Sequence, residues 1–408
     1  MKTKISSIIG SLFVLIPLWW FIGVEQFVWL LVGSLLLFRR FRLKKSSLFY
    51  ILFVVFQIFS LLSLEEPYRM ITFFRTWLSY VVGLIFFIVA TNYIRNKRDA
   101  LVLIRSLSIF FAFSSFISIL GIFGVWRPQF VSLIGRFLPE FITNTVYGSA
   151  IAIKTIGSTD FFYGLGYYFR VSSFWSFAGM YAFGIAIFVP VSIWCIIYDK
   201  KLRLWHTLTF LGVSFSLIFT TARVAIIAVL ATSLIVLTIK SSWFLRIILG
   251  VVLLWVLLLT GLFAIDDIFG LFLYRSFNDR LDIYTETIKW ILRNPLFGYA
   301  TERDVSTVLY PLGSHSTYLG ILFKYGIFGF TAWICYIFLV VKNLLQTKAT
   351  FARFSLWSVC IASIICLSDA IDLDTLNLVV FSVVVGLGLS SETWDNRKQE
   401  LREALVTT

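Results

Sequence analysis

The stretch SSFWSFAGMYAFGIAIFVPVSIWCIIY, residues 172–198, carries no Asp, Glu, Lys, Arg or His. About 20 mostly apolar residues in a helix cross a ~30 Å hydrocarbon core, so this run predicts a transmembrane helix. Comparable apolar runs recur in both directions from it. The chain of 408 residues is 59% hydrophobic and 14% charged, with mean hydropathy +0.92, whereas soluble domains carry roughly 25% charged residues. The ~10-residue alternation of membrane β-strands is absent. The fold class is therefore an all-α, polytopic transmembrane helical bundle, with residues 1–408 reading as a single transmembrane domain. Twelve spans are expected, at about 5–23, 25–38, 48–64, 72–92, 101–124, 172–198, 205–220, 223–239, 246–264, 315–341, 355–369 and 375–391.

Net charge is +14, but the basic residues stand at the ends of apolar runs rather than on a soluble basic domain. This excludes a nucleic-acid partner and makes the lipid bilayer the partner instead. With the N-terminus inside, 22 of the 35 Lys and Arg fall on the cytoplasmic side. They include Arg39, Arg40, Arg42, Lys44 and Lys45, and also Lys200, Lys201 and Arg203. The positive-inside bias thus places both termini in the cytoplasm. No cleavage site follows the apolar run from Met1 to Trp20, so this run is expected to remain as a span. The cysteines Cys195, Cys335, Cys360 and Cys366 lie in apolar runs, which predicts packing rather than a disulfide frame or a metal site.

Two long extracytoplasmic loops, at about 125–171 and 265–314, hold the room for chemistry. Each is too long for a structureless connection and is expected to contain short interfacial helices. One such helix is predicted from Asn278 or Asp279, as its cap, to Asn294, with Pro295 ending it and an apolar stripe of Leu281, Tyr284, Ile288 and Ile291.

Four residues stand out as candidates. His315, at the outer start of a long span, is disposed to the neutral form by the helix N-terminus and is therefore a candidate base; its structural alternative is a capping bond. Arg223 lies in the short outer turn Thr221-Ala222-Arg223, where it either snorkels or grips an anion. Arg280 begins the amphipathic stretch, beside Arg275, Lys289 and Arg293, which read as headgroup-facing charges. Arg170, at the entry to the sixth span, is the fourth. The acidic turn Asp369, Asp372 and Asp374 reads as solvated, and Gly386 and Gly388 as too few to matter. No nucleotide-binding motif is present, nor the paired intramembrane carboxylates of ion-coupled transport.

These residues fall into an ordered pattern. Arg280, Trp290, Asn294-Pro295-Leu296-Phe297-Gly298, His315-Ser316-Thr317-Tyr318-Leu319 and Gly326-Ile327-Phe328-Gly329 follow one another, preceded by Thr221-Ala222-Arg223 and by Arg170 with its following segment. The pattern, over about 165–340, resembles the core region of the O-antigen ligase and O-antigen polymerase superfamily. Ser316 stands where that family has Asn, Ala222 where it has Ser, and Ser173 and Trp175 where it has Gly and Phe.

The resemblance implies a metal-independent inverting glycosyltransferase without cofactors, at the outer face of the bacterial cytoplasmic (inner) membrane. Its donor would be an undecaprenyl-diphosphate-linked glycan and its acceptor a glycan or lipid-linked sugar hydroxyl, with other polysaccharide-assembly proteins as partners. His315, Arg223 and Arg280 would be catalytic, and Arg170, Arg223 and Arg280 would bind substrate. Polymerisation of carrier-linked repeat units into O-antigen, capsule or exopolysaccharide is the first reading. Ligation of the finished glycan to lipid A core is the second. The third, from a different class, is a non-catalytic transporter of lipid-linked glycan, disfavoured because the charges gather at span ends.

Overall fold

The computed structural model describes residues 5–37, 41–64, 66, 69–143, 146–162, 166–240, 269–308, 310–371 and 374–394. The first half contains α1 (Ile5–Val14), α2 (Ile16–Ile22), α3 (Glu25–Leu37), α4 (Lys45–Phe59), α5 (Met70–Tyr93) and α6 (Lys97–Ile122). A long connection follows, with β1 (Gln129–Val131), α7 (Glu140–Thr143), α8 (Val146–Ala152), β2 (Ile153–Thr155), β3 (Gly157–Phe162) and β4 (Gly166–Val171). The second half contains α9 (Ala178–Tyr198), α10 (Arg203–Phe219), α11 (Arg223–Lys240), α12 (Phe269–Arg293), α13 (Thr317–Gln346), α14 (Thr350–Ile365) and α15 (Thr375–Ser390).

Helices occupy the expected span positions except 246–264, which lies outside the described residues. Among the described residues, six helices are long and apolar enough to cross a membrane. A seventh forms only if α1 and α2, bent by 55° at their junction, count as one span. Pro17 in the first turn of α2 accounts for the break, because its ring cannot continue a preceding helix. Glu25–Leu36, Arg223–Val236, Thr350–Ile365 and Thr375–Ser390 are apolar but shorter, so among the described residues about twelve full spans are not confirmed.

The connection 125–171 departs from the all-α reading. It folds into two antiparallel ladders, β1 with β2 and β3 with β4, the second pairing Gly157 with Val171 and Ser158 with Arg170. The aromatic and β-branched run Gly166–Val171 suits a strand, and a ladder satisfies loop backbone groups that neither helix nor lipid would. The interfacial helix also differs from its prediction. α12 begins at Phe269, so neither Asn278 nor Asp279 caps it, although it does stop before Pro295. Its expected single stripe is two ridges. Ile283, Thr287 and Ile291 are buried, while Leu281, Ile288 and Leu292 are exposed.

Helices α9 and α15 are buried along nearly their whole length. Gly386 and Gly388, dismissed on sequence, set how closely α15 approaches its neighbours. A Cβ on Gly386 would lie 2.5 Å from the Ala90 Cβ, and one on Gly388 2.4 Å from the Ser355 Oγ, the small-residue packing that lets membrane helices touch. At one end of the bundle, His206 is structural: Nε2 lies 3.2 Å from Asp199, which Arg105 grips at 2.7 and 2.8 Å, and Nδ1 lies 3.0 Å from Ser108.

Helix α13 is broken at Gly326, whose φ is +63°. The backbone groups freed by that break are satisfied by the preceding loop. Tyr299 N–H donates to the Phe323 carbonyl (2.9 Å), Ala300 N–H to that of Lys324 (2.7 Å), and Ile327 N–H to that of Pro295 (2.8 Å). The two glycine motifs therefore fit into each other, since a Cβ on Gly326 would lie 2.1 Å from the Leu296 carbonyl and one on Gly298 2.5 Å from that of Phe323. We expect Gly326→Ala to cost more than the ~1–2 kcal/mol of a left-handed non-glycine residue, read as a lowered unfolding midpoint in detergent. An unchanged midpoint would contradict this interlock.

Candidate functional site

The start of α13 is sewn to the turn that follows α14. Thr317 N–H donates to the carbonyls of Cys366 (2.9 Å) and Asp369 (3.1 Å). The Thr317 hydroxyl donates to the Asp369 carbonyl at 2.7 Å and accepts from Ile371 N–H at 3.0 Å. Ser316 is the N-cap, accepting from Leu319 N–H at 3.3 Å. The capping bond considered for His315 on sequence is thus supplied by its neighbour. His315 itself sits at φ +59°, a strained conformation for a residue with a side chain. Its carbonyl accepts from the Tyr284 hydroxyl at 2.7 Å, and its ring meets Tyr310 edge-on at 4.9 Å between centroids.

Burial, and then the positive charge of Arg280, push the His315 imidazole down to about 4. It is neutral at physiological pH and free to accept a proton. The sequence argument attributed this to the helix N-terminus, but desolvation is the larger cause.

Arg280 lies one helical turn before Tyr284 on α12, and its guanidinium donates to the Ser368 carbonyl at 3.2 Å. The next residue, Asp369, is pushed up to about 6 by burial, opposed by Arg280 and Arg170. Both arginines therefore act on one carboxylate. On the far side, the Arg170 Nε donates to the Thr220 carbonyl at 3.3 Å. That bond ties β4 to the turn carrying Arg223, where Thr221 adopts φ +55°. Arg223 is the first residue of α11 and half-buried. A cation there opposes the helix dipole by ~0.3–1 kcal/mol, so helix stability does not explain its presence.

Contacts thus link Arg170, the Arg223 turn, Arg280, His315 and Asp369 at one end of the bundle. Asp369 was read as a solvated turn residue, and only its tertiary partners reveal otherwise. The neighbouring charges are engaged elsewhere. Lys289 pairs with Glu286 at 3.0 Å, Arg293 lies 5.1 Å from the Trp290 ring, and Glu302 faces Lys324 at 3.7 Å. Asp374 caps α15 through Leu376 N–H at 2.9 Å. Asp372 and the side chain of Arg275 lie outside the described residues.

Two departures from the family pattern have visible reasons. Ser173, in place of Gly, has φ +49° and is held by Ser114, whose hydroxyl donates to its Oγ at 2.7 Å. Trp175, in place of Phe, is buried and donates its Nε1–H to Asn377 at 2.8 Å. The spacing from Arg280 to Trp290 is explained as well. Trp290 packs on Tyr299 at 5.6 Å, and its carbonyl accepts from the Tyr299 hydroxyl at 3.0 Å, which locks α12 to the glycine interlock.

Residues 207–334 match a family model described as O-antigen ligase. The match supports the resemblance to the O-antigen ligase and polymerase superfamily. It takes in Arg223, Arg280 and His315, and leaves Arg170 and Asp369 outside. No curated protein matches the chain. The class these findings support is a multi-pass membrane enzyme of the glycan-transferring kind.

We expect histidine 15N NMR, with His315→Asn for assignment, to find the His315 ring neutral at pH 6. Arg280→Ala should raise its midpoint toward 6.5, because a like charge is removed. A wild-type midpoint at 6.5 or above would contradict the burial described.

Proposed function

We propose that the chain is a metal-independent inverting glycosyltransferase that polymerises undecaprenyl-diphosphate-linked repeat units into a surface polysaccharide. The reaction would take place at the outer face of the bacterial cytoplasmic membrane. The observation carrying this reading is the linkage of Arg170, the Arg223 turn and Arg280 around a histidine that is held neutral. A diphosphate leaving group needs two negative charges held as the glycosidic bond breaks, and the acceptor needs one proton removed.

In this reading Arg223 and Arg280 clamp the diphosphate, where the planar guanidinium fork matches phosphate oxygens. Arg170 adds charge beside the Arg223 turn, to whose Thr220 carbonyl it donates. The acceptor hydroxyl attacks the anomeric carbon opposite the departing diphosphate, and the new C–O bond forms as the old one breaks. The electron pair leaves on the diphosphate oxygen and the hydroxyl proton passes to His315. A bound diphosphate would offset Arg280 and raise the proton affinity of His315, making it a better base when donor is present. Asp369 orients the arginines. The arrangement of basic residues along the chain supports placing this end of the bundle outside.

The family description favours a second reading, ligation. In it the same chemistry delivers a finished glycan to lipid A core or another surface acceptor.

The test is transfer by the protein in sealed right-side-out vesicles, with donor and acceptor supplied externally and products resolved by length. Arg223→Ala and Arg280→Ala should each lose at least ~10²-fold, with partial recovery in the lysine variants. His315→Asn and His315→Ala should fail alike, by ~10²–10⁴-fold. A product ladder supports polymerisation, and single transfer to a core acceptor supports ligation. Near-wild-type transfer by His315→Asn would make His315 structural. Transfer only from the inner face would overturn the orientation.

A further inference from the structure

Two residues in the short segment before α13 adopt left-handed backbone, Gly313 at φ +80° and His315 at φ +59°. Glycine enters that region without penalty, but a histidine does so only where its surroundings hold it there. On the C-terminal side the chain is fixed by the Ser316 cap and by Thr317. On the N-terminal side it is fixed by α12, through two side chains that stand three residues apart and so share one helix face. The Thr287 Oγ1 accepts from Gly313 N–H at 3.4 Å, and the Tyr284 hydroxyl donates to the His315 carbonyl at 2.7 Å.

The bond from Tyr284 is made to the histidine itself. Its acceptor belongs to the planar peptide joining His315 to Ser316, so the bond anchors the Cα from which the imidazole projects. Without it the residue can relax toward negative φ, and the direction of the ring changes with the backbone. Tyr284 also follows Arg280 by four residues, one turn along the same face of α12, and the guanidinium acts on its hydroxyl. Burial, the largest influence, pushes the phenol up, which keeps it a hydroxyl that donates. One side chain therefore touches both the diphosphate-gripping arginine of the proposed reaction and the backbone of its base. The helix does not require that hydroxyl, because phenylalanine packs the same ring.

We propose that Tyr284 is a positioning residue of the reaction centre: its hydroxyl holds His315 in the left-handed conformation that presents the imidazole to the acceptor, in register with Arg280. The hold on His315 stands on the geometry alone, whereas its consequence for turnover rests on the glycan-transfer reading.

The test is Tyr284→Phe in full-length protein in nanodiscs, read in two ways. Without substrate, histidine 15N NMR reports the His315 ring, whose midpoint is about 4 in the wild type. In the variant it should rise toward the ordinary 6.5, as the ring leaves its buried place. With carrier-linked donor and acceptor, kcat should fall ~10–10²-fold while the donor KM stays within about twofold, since Arg223 and Arg280 remain. A loss of stability alone would move neither the midpoint nor kcat of the folded fraction. If the wild type transfers no glycan, a raised midpoint keeps the hold on His315 and removes its role in turnover. A midpoint left at about 4, an unchanged kcat, or a loss confined to KM would each overturn the proposal.

Discussion

The arrangement depends on how a helix is broken inside the membrane-facing bundle. At Gly326 the carbonyls of Phe323 and Lys324 lose their helical partners, and a bilayer offers no water to replace them. The loop at 295–300 supplies the N–H groups instead, at 2.7 and 2.9 Å. Because that loop continues directly from α12, the break also fixes α12 against α13. Arg280 is carried on one of these helices and His315 stands at the head of the other. A looser interlock would separate them before any substrate arrived.

Held this way, the site brings several charged groups to bear on one another. Arg170 and Arg280 both bear on Asp369, and Arg280 together with burial keeps His315 neutral. Asp369, at about 6, holds its proton more firmly than an ordinary carboxylate because burial outweighs both arginines. On the proposed reading, a ligand with two negative charges would offset Arg280 and return basicity to the histidine, so that substrate binding and base strength would be coupled through Arg280. The stitching of Thr317 to the carbonyls of Cys366 and Asp369 keeps the acidic turn and the histidine in register.

Much of this was legible in the sequence because lipid imposes simple rules. The charge-free run 172–198 announces a span, and helix α9 occupies most of it. His315, Arg223 and Arg280 were each visible as polar groups at span ends. What escaped was set by tertiary contact. Asp369 looks like any turn acid until Arg280 and Arg170 are brought beside it. The strands at 153–171 were missed because a short aromatic run between spans has no period long enough to separate strand from helix. The caps at Asn278 and Asp279 failed because α12 continues through them from Phe269, overriding a local signal.

The most direct measurement of the central claim is a density map of the protein in nanodiscs with an undecaprenyl-diphosphate-linked glycan bound. The account predicts diphosphate density between the Arg223 turn and Arg280, with the anomeric carbon on the His315 side. Diphosphate density elsewhere on the bundle, with these residues unengaged, would contradict it.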